Sequence, residues 1–336
     1  MTARARIIAA AALLASAMAG PAAANDTVAE LRPGGLVFVT TDAVAMESED
    51  LFLSLDEVRV DYVFRNTTDV PQAVVVAFPM PALDGSPWVI PAVPDAASAN
   101  FLDFTVTVDG RPVEPRLQQR AEVAGIDVTA DLLAAGVPLE PFSEGAVAAV
   151  GALDPDRLHD FLRRGLVVID TYDDDGTGMK DHVMPFWTLR TTFHWEMTFQ
   201  PGVETRVSHR YRPSVGMTAG LAFRDYDRFA GPVFDDYVRR YCMDDAFLSA
   251  VRRREAAAAP GEGLFENRIA YVLTTGGNWA GPIRRFRLTV DKGSPDNLVS
   301  FCADGVTKTG PTTFTVAAED FMPERDLEVL ILAAPR

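Results

Sequence analysis

This 336-residue chain carries 47 acidic against 31 basic side chains, a formal net charge of −16, so it would be repelled by nucleic acid and by anionic membrane surfaces. With 48% hydrophobic residues it can bury one large core or two modest ones. Its two cysteines, Cys242 and Cys302, lie outside any C-x-x-C motif, which excludes the common zinc and dithiol signatures.

The first residues read as a secretion signal. Arg4 and Arg6 form the positive region, Ile7 to Met18 the apolar run, and Ala22-Ala23-Ala24 a small-residue cleavage site. The run is too short and too interrupted, by Ser16, Gly20 and Pro21, for a membrane span. Cleavage would leave Asn25 first, which gives no cysteine for a lipid anchor. The expected location is therefore periplasmic or extracellular. In such an oxidising compartment the two cysteines are expected to form one disulfide.

Past Asn25 the pattern is mostly strand. Leu36 to Val39 follows a glycine pair, and from Asp56 the residues Val58, Val60, Tyr62 and Phe64 alternate with Arg59, Asp61 and Arg65. Asn66-Thr67-Thr68-Asp69 is turn chemistry, Ala73 to Phe78 is read as the returning strand of a hairpin, and Phe78-Pro79-Met80-Pro81 ends it. Asn66 also fits the N-x-T acceptor pattern, though a turn asparagine accounts for it without a glycan. Phe101 to Val108, a two-residue Asp109-Gly110 turn and Arg111 to Leu117 form a further hairpin.

In the middle, Asp154-Pro155 and Gly165 bracket a helix with Leu158, Phe161 and Leu162 on one face. Leu166 to Ile169 is a strand, followed by an acidic loop, Asp173-Asp174-Asp175-Gly176. Phe186 to Val215 reads as a long β-hairpin. Phe193, Trp195, Met197 and Phe199 share one face; Val207, His209 and Tyr211 share one face of the second arm. A three-residue loop, Gln200-Pro201-Gly202, would pair Trp195 with Val207 and Glu196 with Arg206, and would send His194 and His209 to opposite sides. Beyond it come two helices, Val233 to Tyr241 and Asp245 to Ala258. Five strands follow: Ile269 to Thr274, Ile283 to Asp291, Leu298 to Cys302, Thr312 to Ala317 and Leu327 to Leu332.

The fold class expected is a β-rich α+β protein of antiparallel sandwich-like modules with a long central hairpin and a few short helices. The expected division is a signal over 1–24, an N-terminal β module over 25–120, a mixed segment over 121–232 and a helical pair with a C-terminal β module over 233–336.

Two resemblances accompany this reading. DEVRVDYVFRNTTDVPQAVVVAFPMP followed by VTVDGRPVEPRL is similar to the vault/inter-α-trypsin (VIT) module. The D-x-S-x-S metal-binding domain that often follows that module is missing, since Asp84-Gly85-Ser86 runs into Trp88. Over nearly its whole mature length the chain resembles a family of secreted bacterial proteins known only as domain-of-unknown-function family 4424. That resemblance rests on NDTVAELRPGGLVF, MESEDLFLSLDEVRVDY, VAFPMP, HRYRPSVG and GPIRRFRLTVDKG. It implies export and a shared architecture, and no activity.

Candidate chemistry is sparse. There is no G-x-S-x-G elbow, H-E-x-x-H helix, phosphate-cradling loop or dinucleotide fingerprint. Asp173 and Asp175 suit a hard cation such as Ca2+, but His182 occupies the place of the glutamate of an EF-hand loop, and a solvated acidic turn is the simpler reading. His194 and Glu196, sharing a face with Arg206 and Ser208, are candidates for acid–base work, and a salt-bridged solvent face is the simpler account. Trp88, Trp187 and Trp279 are candidate contacts for a sugar ring or peptide side chain, while Trp195 belongs to the core. The expected function is a non-catalytic binding or structural role in the cell envelope, toward protein or glycan, with no nucleic-acid partner. The alternative is a secreted hydrolase, or a calcium- or glycan-binding protein, using the acidic loop and the hairpin's polar face.

Overall fold

The computed structural model describes residues 25–32, 35–87, 91–95, 98–218, 220–224, 228–258 and 263–334. The expected signal, Trp88 and the Pro260-Gly261 helix end lie outside the described residues.

Among the described residues strands dominate, in four sheets accompanied by five short α-helices, which makes a β-rich α+β fold. A seven-stranded sheet is ordered Ile126–Asp127, Arg116–Val123, Thr188–Phe199, Gln72–Pro79, Thr27–Arg32, Gly35–Val39, with Leu83–Asp84 also pairing to Thr188–Phe199. An eight-stranded sheet is ordered Thr307–Lys308, Thr313–Phe321, Ile283–Asp291, Val44–Leu53, Val58–Asn66, Glu204–Tyr211, Thr105–Val108, Arg111–Val113. Its one parallel pairing sets Val44–Leu53 beside Ile283–Asp291, so residues from both ends of the described chain share a sheet. A five-stranded sheet and the two-stranded Val167–Tyr172/Lys180–Pro185 ribbon complete the set.

The two large sheets face each other, because each alternating strand has one apolar face that only another apolar layer can cover. Aromatic rings meet across the gap: Phe104 stacks on Phe193 at 4.4 Å, Phe64 meets Phe199 at 5.7 Å, and Trp195 meets His209 edge-on at 5.3 Å. Fully burying each such ring stabilises the fold by roughly 1.5–3 kcal/mol.

The long hairpin expected over Phe186 to Val215 is not formed, although both arms are strands with the expected inward faces. Thr188–Phe199 runs in the seven-stranded sheet and Glu204–Tyr211 in the eight-stranded one. Trp195 stands opposite Val76, and Val207 lies between Tyr62 and Val108. The connection is an arch, with Gly202 left-handed at φ 66°. Alternation reports which residues share a face and is silent on whether the next strand pairs beside it or crosses to the opposing sheet. The expected hairpin of Val58–Asn66 with Gln72–Pro79 is a second such arch.

Asn66 holds both arches. It is almost fully buried, its amide donates to Val70 O at 2.8 Å and Phe199 O at 2.9 Å, and its Oδ1 accepts the Thr68 N–H at 2.9 Å. Its backbone carbonyl accepts Gly202 N–H at 3.1 Å. By contrast Thr105–Val108 and Arg111–Val113 form a true two-residue hairpin, with positive φ at Asp109 and Gly110.

The helices follow their caps. Asp154 accepts Arg157 N–H at 2.9 Å, Pro155–Arg164 is helical, and Gly165 closes it at φ 73°. Asp244 accepts Phe247 N–H at 2.7 Å and starts Asp245–Ala257. The helix Pro232–Tyr241 ends at Cys242, which is bonded to Cys302 just past the strand Leu298–Phe301. Among the described residues no helix is long and apolar enough to cross a membrane.

Candidate functional site

Strand Ile283–Asp291 turns Phe286, Leu288 and Val290 inward, so Arg285 and Arg287 stand on the outer face of the eight-stranded sheet. Its neighbours place Asp50 beside Arg287 and Glu319 beside Arg285. A register shift between Met46 and Ser48 bends the strand next door. Short side chains, Ser48 and Ala317, lie among these long ones and leave an open trough of about 540 Å³. Among the described residues neither Arg285 nor Arg287 makes an ion pair. Two guanidinium forks on adjacent outward positions can grip carboxylate or phosphate groups bidentately. The trough is shallow, which suits a polymer or a protein surface better than an enclosed small molecule.

Behind this sheet lies a sealed cluster of polar groups that the sequence reading did not assemble. Asn25, Asp26, Glu49, Tyr62, His209 and Tyr271 are all buried. His209 Nε2 lies 2.8 Å from Asp26 Oδ1. Tyr62 donates its hydroxyl to Asn25 Oδ1, and the Tyr271 hydroxyl lies 2.9 Å from that of Tyr62. Asn25 Nδ2 donates to Glu49 Oε2 at 3.3 Å. Burial pushes the Glu49 carboxyl up to about 8 and raises that of Asp26 against the pull of His209. The signal was present in part: His209, Tyr62 and Tyr271 fall on inward faces of expected strands. Glu49 lies in a strand that its own charge conceals.

The residues expected to carry chemistry are scattered. His194 and Glu196 do lie together on the outer face of the seven-stranded sheet, and Glu196 pairs with Arg116 at 3.6 Å. Partial burial and then Arg116 lower the His194 pKa, which favours the neutral ring. Arg206 and Ser208, expected on the same face, belong to the other sheet, and Ser208 donates to Asp61 there at 2.5 Å. The arch separates the two halves of that constellation.

Trp187 and Trp279 are buried, with their indole N–H groups donating at 2.8 Å to Leu139 O and Asp26 O respectively. Neither face is open to a ligand in this conformation. Asp173, Asp174 and Asp175 have carboxylate oxygens within 4.8 Å of one another on an exposed turn. Asp175 is held by Lys180 at 2.6 Å and by Thr177, and its pKa falls accordingly. His182 is occupied otherwise, stacked on Tyr172 with ring centres 3.8 Å apart.

A family model described as Domain of unknown function (DUF4424) matches residues 24–330. The chain belongs to that family. No curated protein matches this DUF4424 chain. Among solved structures it is similar to a Legionella pneumophila protein described as a "putative nutrient binding protein". The identity is 14% over 92% of this chain and 70% of that one, with a TM-score of 0.41. An M1 zinc metallopeptidase from Deinococcus radiodurans is 11% identical over 87% of this chain and 43% of its own length, with a TM-score of 0.22. Similarity at that level does not establish a shared fold, and nothing about ligand or activity follows from it.

Proposed function

We propose that this DUF4424 chain is exported with cleavage after Ala24 and acts in or beyond the bacterial cell envelope as a non-catalytic binding protein. Its partner is a protein or glycan that presents anionic groups to the trough on the eight-stranded sheet. The observation that carries this reading is the pair of outward guanidinium groups of Arg285 and Arg287, which make no ion pair among the described residues, in an otherwise acidic protein. Asp50 and Glu319 beside them would reject a partner that is uniformly negative, which adds selectivity.

Isothermal titration of the exported chain against acidic oligosaccharides, phosphorylated glycans and acidic peptides tests it. Binding by one class, lost in an Arg285→Ala/Arg287→Ala double variant of unchanged melting temperature, is expected. Absence of binding to all three by folded protein, or binding that survives the double substitution, refutes the assignment. Trp88→Ala serves as a parallel probe.

A further inference from the structure

Asn25 and Asp26, the first two residues described, have no exposed surface at all. They sit where the eight-stranded sheet meets the loop after Phe265–Tyr271, and the surrounding groups form a fitted seat. Besides its bonds to Tyr62 and Glu49, Asn25 donates from Nδ2 to Leu273 O at 3.4 Å, and its backbone carbonyl accepts the Thr275 hydroxyl at 2.9 Å. Asp26 N–H donates to the Tyr62 oxygen at 3.4 Å, and Asn278 donates to Thr27 Oγ1 at 2.8 Å. Gly276 closes the seat from outside: a Cβ there would stand 2.7 Å from Asn25 Nδ2.

One acid of this seat has no cation beside it. Glu49 is 1% exposed, its Oε1 has no hydrogen-bond partner, and the donors its carboxyl does meet, the Asn25 amide at Oε2 and the Tyr271 hydroxyl, are both uncharged. Its other neighbours, Asp26, Tyr62 and Tyr271, include no cation, and the nearby His209 is engaged by Asp26. A carboxyl group placed in such surroundings without a positive partner costs several kcal/mol if ionised.

The missing charge is one that cleavage after Ala24 would create. Hydrolysis of the Ala24–Asn25 peptide bond adds water's hydroxyl to the Ala24 carbonyl carbon and its hydrogen to the Asn25 nitrogen. At neutral pH the new acid releases a proton and the new amine takes one up. The nitrogen of Asn25 thus changes from an uncharged amide into an ammonium, a few ångströms from the side-chain amide that already touches Glu49.

We propose that the α-ammonium of Asn25 is the counter-ion of Glu49, so that the seat is a binding site for the chain's own processed amino terminus and is complete only after the leader is removed. This rests on the export and cleavage proposed above. Processing then does more than release the chain: it supplies the charge that locks the sandwich core.

Amino-terminal sequencing of the exported protein comes first. Asn25 is expected, and any other first residue overturns the cleavage reading and the seat with it. With Asn25 established, a chain beginning at Asn25 is compared with one carrying a single additional alanine, each released from a cleavable fusion. The extended chain is expected to melt lower by about 5 °C or more, as for a broken buried pair, and Glu49→Gln is expected to abolish the difference. Equal melting temperatures, or a difference that persists in Glu49→Gln, overturn the proposal. Should Glu49→Gln not fold, amine acylation of the native wild-type chain decides. A protected α-amine that becomes reactive only in denaturant supports the pair; acylation at the rate of an exposed amine refutes it.

Discussion

Asn66 offers the sharpest test of the arch architecture. Replacing it by alanine removes two donated bonds, to Val70 O and Phe199 O, and the bonds accepted from Thr68 N–H and the Thr68 hydroxyl; Phe199 O and Thr68 N–H lose their side-chain partner, while Val70 O keeps the Thr68 hydroxyl at 3.0 Å. At about 1 kcal/mol net for each bond, more where the orphaned group stays dry, the loss is about 3–4 kcal/mol. For a chain of this size that corresponds to a melting temperature lowered by about 6–8 °C. Asn66→Asp should be worse at pH 7, although it preserves the shape, because it aims a carboxylate at two carbonyl oxygens in a site that is 1% exposed. The introduced acid would have its folded pKa raised above its unfolded value. Its penalty is therefore full at neutral pH and shrinks as the pH falls toward 4 and the acid protonates. Thermal melts at pH 7 and pH 5 by circular dichroism read both effects. An Asn66→Asp variant as stable as wild type at pH 7, or a deficit unchanged at pH 5, would refute the role assigned to the amide.

Other outcomes follow from the same geometry. Cys242→Ser/Cys302→Ser opens a 60-residue loop and should lower stability by up to ~4 kcal/mol, read as a lower urea midpoint that reductant reproduces in wild type; no change would mean that neighbouring contacts suffice to hold the helix to the strand. Gly202→Ala meets no atom within 4 Å, so its cost should be only the left-handed backbone term, about 1 kcal/mol, and a larger loss would point to a packing role. Removing the Asp244 cap by alanine should also cost ~1 kcal/mol, seen in the same urea titration. In a chain extended upstream of Asn25, Glu49 is protonated in the fold up to about 8 and ionised in the unfolded chain above its model value of 4.5. Stability should therefore fall as pH rises between those values, by up to ~1.4 kcal/mol per pH unit, and Glu49→Gln should flatten that slope. A flat profile in the extended wild type would contradict the burial of an uncompensated acid.

Local chemistry was legible in the sequence where it is sufficient by itself. Asp154-Pro155 with Gly165, Asp244, and the Asp109-Gly110 turn each determine their element through bonds made within a few residues, and they stand where expected. The strand Val44–Leu53 was not legible, since Glu47, Glu49 and Asp50 interrupt its apolar run and one of those acids points inward. The arches were hidden for a different reason. Pairing across sheets depends on which apolar faces are available to be covered, and no short stretch carries that information. For the same reason the polar cluster, six residues drawn from between Asn25 and Tyr271, could not be assembled, although the alternation put His209 on the face shared with Val207 and Tyr211. The outward positions of Arg285 and Arg287 could have been read from the alternation of IRRFRLTV. Their lack of partners could not.

The parallel pairing of Val44–Leu53 with Ile283–Asp291 bears on when this protein can acquire its structure. Glu49 lies beside Phe286, so the middle of the largest sheet waits for a segment made more than 200 residues later. Contacts so distant in the chain demand a costly loop closure before they return any stabilisation, and folding governed by them is slow. Until then Val44–Leu53 has an open edge and must be shielded from pairing with other chains. A polypeptide of this design emerges from the ribosome as an unfinished sheet and stays pliable through most of its synthesis, which is the condition needed by any chain that must pass through a narrow pore before it folds.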